Sequence, residues 1–213
     1  MSNKLITPTL MNAFDWMITC PDSWRDKAKR DLLRTLRREY ADEPNVAFER
    51  GNRFESTLFR ASYRPAEGLG GTRHFKLAVE LVRGARFQVK SKSFITVGDV
   101  EYCIYGKIDA LKRDVILDVK TTKEFRGESR YLNSMQHKMY CYNENIMSFV
   151  YVVAEFRGEE GDELRAVHEV NYYAEDRESL KAQIIGKIQE WEAYLEDNTE
   201  FKEAYNTKFC RQN

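Results

Sequence analysis

The chain has 213 residues, with 34 basic and 34 acidic side chains and a formal net charge of zero. Its composition, 42% hydrophobic and 32% charged, excludes a disordered chain and gives ample material for one large domain or two small ones. No apolar run nears the ~18 residues of a membrane span and MSNKLITPTL lacks a signal-peptide core, so a cytoplasmic protein is expected.

Leu10, Phe14, Met17 and Ile18 follow helical spacing, and Cys20-Pro21 ends that helix. Asp22-Ser23 offers a cap for a second helix with Trp24, Ala28, Leu32 and Leu36 on one stripe. A third helix is expected over Val46 to Ser62, burying Phe54 and Leu58. The glycines of 67–71 mark a loop, and Phe75 to Val82 reads as a short helix. The period then changes. Residues 86–97, 100–111 and 115–121 read as a three-stranded antiparallel meander, with turns at Gly98-Asp99 and Arg113-Asp114. Residues 129–144 are helical, 147–157 and 164–173 are strands, and a last helix carries Leu180, Ile184, Ile188, Trp191 and Leu195. The expected fold class is α/β (α+β mixed), a central mixed β-sheet flanked by helices in one domain over 1–213. Its parts are a helical region 1–84, a sheet core 85–173 and a C-terminal helix 175–200.

The charge is unevenly distributed. Residues 1–94 hold 18 basic and 11 acidic side chains, and the remainder holds 16 and 23. The densest basic stretch, Arg25 to Arg38, would attract phosphates or simply form a solvated helix face. Cys20, Cys103, Cys141 and Cys210 are widely spaced without a CxxC pair and read as reduced thiols.

The stretch Tyr105 to Tyr140 carries the chemistry. A two-residue reversal at Arg113-Asp114 sets Lys112 opposite Val115, which in turn sets Asp109 opposite Asp118. Like charges facing each other across strands are destabilising, and a divalent cation between them removes the repulsion. Mg²⁺ suits such a pair, binding one or two carboxylates and completing its shell with water and phosphate oxygens. Lys120 shares a strand face with Asp118, while Val119 points to the core and leaves its carbonyl as a further ligand. The same residues also fit a plain Asp118–Lys120 ion pair beside a solvated Asp109. Gln136 and Tyr140, four apart, share a helix face, which also suits a core tyrosine. His137 points elsewhere on that helix and His74 and His168 lack partners at metal-ligand spacing, so all three read as non-catalytic.

Taken in order, Gly106-x-x-Asp109, Asp118-Val-Lys120-Thr121 and Gln136-x-x-x-Tyr140 resemble the motif series of the PD-(D/E)xK nucleases, in particular the RecB-like branch. Gly51-x-x-x-Glu55 fits the branch's upstream helix motif, with Glu where many members have His. Cys20-Pro21 before a basic helix resembles its opening. The resemblance implies a restriction-endonuclease-like core in which Asp109, Asp118 and the Val119 carbonyl hold Mg²⁺ or Mn²⁺. Glu55 would serve as a further ligand, allowing one or two ions. It also implies that Lys120 handles the attacking water and that Gln136 and Tyr140 border the site. Some members hold an iron–sulfur cluster on one upstream cysteine and three near the C-terminus. Only Cys210 lies near the end here, so no cluster is expected. A Walker A loop is absent from the sequence.

The expectation is therefore a metal-dependent DNA nuclease, an exonuclease of DNA recombination or repair or of phage DNA processing. The alternative is a nucleic-acid-binding protein that keeps the fold without cleaving. DNA is the expected partner, with no membrane. The sequence leaves open a homo-oligomer or a companion single-strand annealing protein.

Overall fold

The computed structural model describes residues 3–39, 46–64, 71–157 and 163–211. Helix α1 (Pro8–Thr19) starts where the Thr7 side chain accepts from the Leu10 amide, with Pro8 in the first turn. Pro21 confines Cys20 to extended backbone, which stops the helix. In α2 (Asp22–Arg37) the cap is Pro21 and makes no side-chain hydrogen bond, in place of the expected Asp22-Ser23 cap. Arg25 instead reaches back to the carbonyls of Met17, Ile18 and Cys20, satisfying acceptors that the end of α1 leaves open. Ala28, Leu32 and Leu36 are buried as expected, but Trp24 is 50% exposed, one turn before the stripe begins to pack.

Helices α3 (Val46–Ser62) and α4 (Arg73–Val82) follow, the latter capped by Thr72. The glycine loop expected at 67–71 lies outside the described residues except for Gly71. The meander is present as β2 (Arg86–Val97), β3 (Val100–Leu111) and β4 (Ile116–Thr122). The helical stretch 129–144 is two pieces, α5 (Ser129–Leu132) and α6 (Gln136–Glu144). Strands β5 (Ser148–Arg157) and β6 (Glu163–Tyr173) lead to α7 (Arg177–Asp197). The single C-terminal helix expected over 175–200 is α7 and a separate α8 (Thr199–Phe209). Strands β1 (Asn3–Ile6) and β7 (Cys210–Arg211), too short to show a period, complete a seven-stranded mixed sheet. Its order is β6-β5-β4-β3-β1-β7, with β2 also on β3.

The sheet has an apolar cluster on each side. One gathers Leu10, Phe14, Leu32, Ile104, Ile108, Met139, Tyr151 and Trp191, so α1, α2, α6 and α7 cover that side. The other joins Phe54, Leu58, Val79, Ala110, Leu117 and Val152 under α3 and α4. The β2–β3 ribbon crosses between them. Val89 and Ile108 pack with the first cluster, whereas Phe87 and Ala110, the next odd–even pair, pack with the second. The crossing falls at Gln88 and Asp109.

Candidate active site

Strand β2 lines β3 along its whole length, from Arg86 opposite Leu111 to Val97 opposite Val100. The other edge of β3 is shared. Strand β1 runs parallel to residues 101–104, and β4 pairs antiparallel with Ala110 and Leu111 only. Residues 105–109 therefore face no described strand on that side, and β3 and β4 fork. Lys112 donates to the Val115 carbonyl at 3.0 Å and Leu111 opposes Ile116, so the register sets Asp109 and Asp118 opposite each other where the ladder opens. The ladder itself ends one step earlier, at Ala110 opposite Leu117.

Helix α6 fills the fork. Tyr140 donates to the Lys107 carbonyl at 3.0 Å, satisfying an acceptor on the open edge. Gln136 donates to Asp118 Oδ1. The start of α6 is fixed from α1, because Asn12 Oδ1 accepts from Ser134 Oγ at 2.9 Å and from the Met135 amide at 3.1 Å. His137 turns into the core, its Nδ1 3.0 Å from the Tyr151 hydroxyl; burial, with Lys138 nearby, lowers its pKa to about 3 and keeps it neutral.

Each carboxylate is tied to a protein donor. Asp118 is 2% exposed, and Lys120 Nζ stands 2.5 Å from its Oδ2. Asp109 Oδ2 accepts from the Val119 amide at 2.9 Å, while the Val119 side chain packs into the second cluster. Glu55, on α3, accepts from the side chain of Gln88. Burial, then the charges of Asp118 and Glu55, raise the Asp109 pKa to about 8, against the pull of Lys120 and the Val119 amide. Burial and Asp118 likewise raise Glu55, against Lys107 and Lys120. Burial works against the Lys120 ammonium, but Asp118 and Asp109 outweigh it and hold the pKa above that of a free lysine. Burial and both aspartates keep Tyr140 a neutral phenol.

Glu55, Asp109, Asp118, Lys120, Gln136 and Tyr140 are thus brought into one neighbourhood from α3, β3, β4 and α6. Among the described residues, however, no three His, Cys, Asp or Glu side chains already converge as a metal cage. The donor set still fits a hard divalent cation, since it consists of carboxylate oxygens whose mutual repulsion a cation would remove.

A cleft of about 750 Å³ opens beside the fork and is lined by Lys120, Thr121 and Gln136. Trp16, Arg126 and Arg130 also line it. The loop bearing Arg126 is anchored by Phe125, whose ring stacks on His168 with centroids 4.0 Å apart. His168 in turn meets Glu155 at 2.9 Å, and Arg165 bonds the other oxygen of that carboxylate. His168 thus has a structural partner that spacing did not reveal.

The basic helix α2 packs chiefly on α1 and α8 rather than on the elements bearing the carboxylates. Arg25 serves α1, Arg37 pairs with Glu200 at 2.8 Å, and Arg38 lies over the Phe209 ring.

No protein-family model matches this chain, and no curated protein matches it in sequence. Solved structures do. The alkaline exonuclease LHK-Exo from Laribacter hongkongensis superposes with a TM-score of 0.52 at 14% identity, covering 95% of this chain and 93% of that one. The fold is shared with that exonuclease over nearly the whole of both chains. The same enzyme in complex with dAMP gives the same values. A phage-related exonuclease from Haemophilus somnus 129PT is similar at a TM-score of 0.49 and 10% identity, covering 93% of this chain and 92% of that one. Among the described residues no helix is long and apolar enough to cross a membrane.

Proposed function

We propose that the protein is a DNA nuclease dependent on Mg²⁺ or Mn²⁺, acting as an exonuclease in DNA recombination, repair or phage DNA processing. The observation that carries this reading is the fork itself. Two aspartates lie side by side, one of them almost fully buried and paired with the Lys120 ammonium, and that lysine lines a cleft of about 750 Å³.

Asp109, Asp118 and the Val119 carbonyl would hold one cation, and Glu55 would favour a second. When bound, the metal supplies a nucleophilic water at neutral pH and compensates charge on the attacking and leaving oxygens. Lys120, held protonated by its aspartates, orients water and offsets charge building on the phosphate. Gln136 holds one oxygen of the Asp118 carboxylate and Lys120 the other, and both side chains line the cleft. Tyr140 holds the fork open. Arg130, and Arg126 on exchanging its Glu124 partner for phosphate, give a phosphate chain the positive charge that the carboxylates deny it. The dAMP in the Laribacter enzyme is a nucleotide bound on this fold, which supports the substrate class.

Digestion of end-labelled linear and closed circular DNA, single- and double-stranded, in Mn²⁺ and in EDTA tests the proposal. Cleavage in Mn²⁺ that stops in EDTA, on linear but not closed circular DNA, is expected. DNA binding without cleavage under every condition would instead establish a non-cleaving binding protein.

A further inference from the structure

Gln88 carries the least favourable backbone conformation near the carboxylates. Its φ is +55°, in the left-handed region that side-chain-bearing residues seldom enter. It sits opposite Asp109 in the β2–β3 ladder, between the pairs Phe87–Ala110 and Val89–Ile108, at a step the ladder skips. From there its amide reaches α3 and donates to Glu55 Oε1. Among the described residues this is the one hydrogen bond made to that carboxylate.

We infer that Gln88 is a positioning residue that holds the Glu55 carboxylate at the fork, through a left-handed backbone kink that aims its amide across the site. This rests on the metal-dependent reading above. Glu55 hangs on a helix by a flexible side chain, and the negative charge of Asp118 repels it. An amide hydrogen-bonded to one oxygen opposes that repulsion and fixes the carboxylate's direction. It leaves the second oxygen free for a cation. The Nε2–H that faces Glu55 cannot itself ligate a metal, so through this hydrogen bond Gln88 acts on the ion by way of Glu55. Backbone strain at such positions persists where the surrounding structure over-determines it and is concentrated at functional sites.

A purely structural reading is available, since the ribbon changes core clusters at this residue. The two readings predict different things for glycine. Glycine enters the left-handed region freely, so a structural role is served as well or better by Gln88→Gly. A positioning role is lost with the amide. Asparagine tolerates the same φ but is one methylene too short to reach α3 in the same way, so Gln88→Asn separates backbone from reach.

The test is Mn²⁺ binding to the full-length, DNA-free protein by calorimetry, with thermal unfolding in EDTA beside it. Gln88→Gly and Gln88→Asn should unfold at or above the wild-type temperature without metal and bind Mn²⁺ about 10–100-fold more weakly. Glu55→Gln should lose binding of the same order, and the double variant Glu55→Gln with Gln88→Gly should lose little more. Asp118→Asn serves as the control for the metal site itself. Wild-type Mn²⁺ affinity in both Gln88 variants, with affinity lost in Asp118→Asn, would overturn the positioning role alone. Wild-type affinity in Asp118→Asn as well would overturn the metal reading and this inference with it.

Discussion

A β-carbon on Gly106 would stand 2.6 Å from the ring of Tyr140, closer than atoms approach, so the glycine of β3 is what admits the tyrosine of α6. The two residues, 34 apart in sequence, form one joint. Gly106→Ala should push Tyr140 off the Lys107 carbonyl, withdraw Gln136 from Asp118 and destabilise the protein by about 1–3 kcal/mol, the usual penalty for overpacking. Tyr140→Phe keeps the ring and loses only the hydroxyl, at about 0.5–1.5 kcal/mol. Chemical denaturation of both variants checks the order. Tyr140→Phe proving as damaging as Gly106→Ala would mean that the hydrogen bond, not the close approach, makes the joint.

Removing a charge at the fork should separate chemistry from folding. Asp118→Asn should abolish cleavage, and Lys120→Ala should reduce it about 10²–10³-fold, the range for losing one electrostatic stabiliser. Lys120→Ala also leaves the Asp118 carboxylate without its ammonium, so this variant and not Asp118→Asn should lose stability in EDTA. Cleavage rates and unfolding curves on the same preparations test the pair, and near-wild-type cleavage by Asp118→Asn would remove the metal assignment.

The raised Asp109 pKa makes metal-free stability depend on pH with a definite sign. The native state holds a proton that the unfolded chain, with an aspartate near 3.9, has already released, so unfolding becomes easier as pH rises toward about 8. Glu55 and Asp15, also raised by burial, act in the same direction. Buried His137 opposes them, but only below about 6.5, where the unfolded chain would protonate it. The clean window is therefore from about 6.5 to about 8. The melting temperature in EDTA should fall across it, by about 2–4 °C for each kcal/mol lost. Mg²⁺ should flatten the fall by stabilising the ionised carboxylates. A melting temperature that rises with pH in EDTA would contradict the electrostatics of the fork.

DNA is expected to lie against the cleft wall rather than along α2. Arg126→Ala with Arg130→Ala should weaken binding in Ca²⁺ and reduce the log–log salt slope by roughly 0.7 to 0.9 for each phosphate that is no longer neutralised. Arg34→Ala with Arg37→Ala should change the slope little, because their helix packs on α1 and α8 rather than on the elements bearing the carboxylates. The reverse outcome would return the DNA path to α2.

The features legible in the sequence were those set by local spacing. Alternating strands around the Arg113-Asp114 reversal fixed the Asp109–Asp118 register, and a period of four put Gln136 and Tyr140 on one helix face. What escaped was set by distant partners. The break between α5 and α6 depends on Asn12, more than 120 residues away, accepting hydrogen bonds from Ser134 and Met135. The left-handed turn at Gln88 has no glycine to announce it, and its reason lies on α3. Phe125 and His168 look unremarkable until the pairing of β4 with β5 and of β5 with β6 brings the loop after β4 to the His168 ring. Charge density along α2 does not reveal that Arg25 is already engaged as a cap and Arg37 as an ion pair.

Strand β1 joins the sheet beside β3, and its outer edge pairs Asn3 with Arg211 and Lys4 with Cys210. The sheet is therefore closed at one margin by the two stretches of chain farthest apart in sequence. Pairings over such separations form slowly, whereas the β2–β3–β4 and β5–β6 hairpins need only local reversals. The order of assembly that follows places the fork before the margin: Asp109 and Asp118 can face each other while α1 and α8 are still undocked. Refolding monitored by hydrogen exchange should then protect β3 and β4 ahead of β1, and Mn²⁺ added at the start should capture that early species.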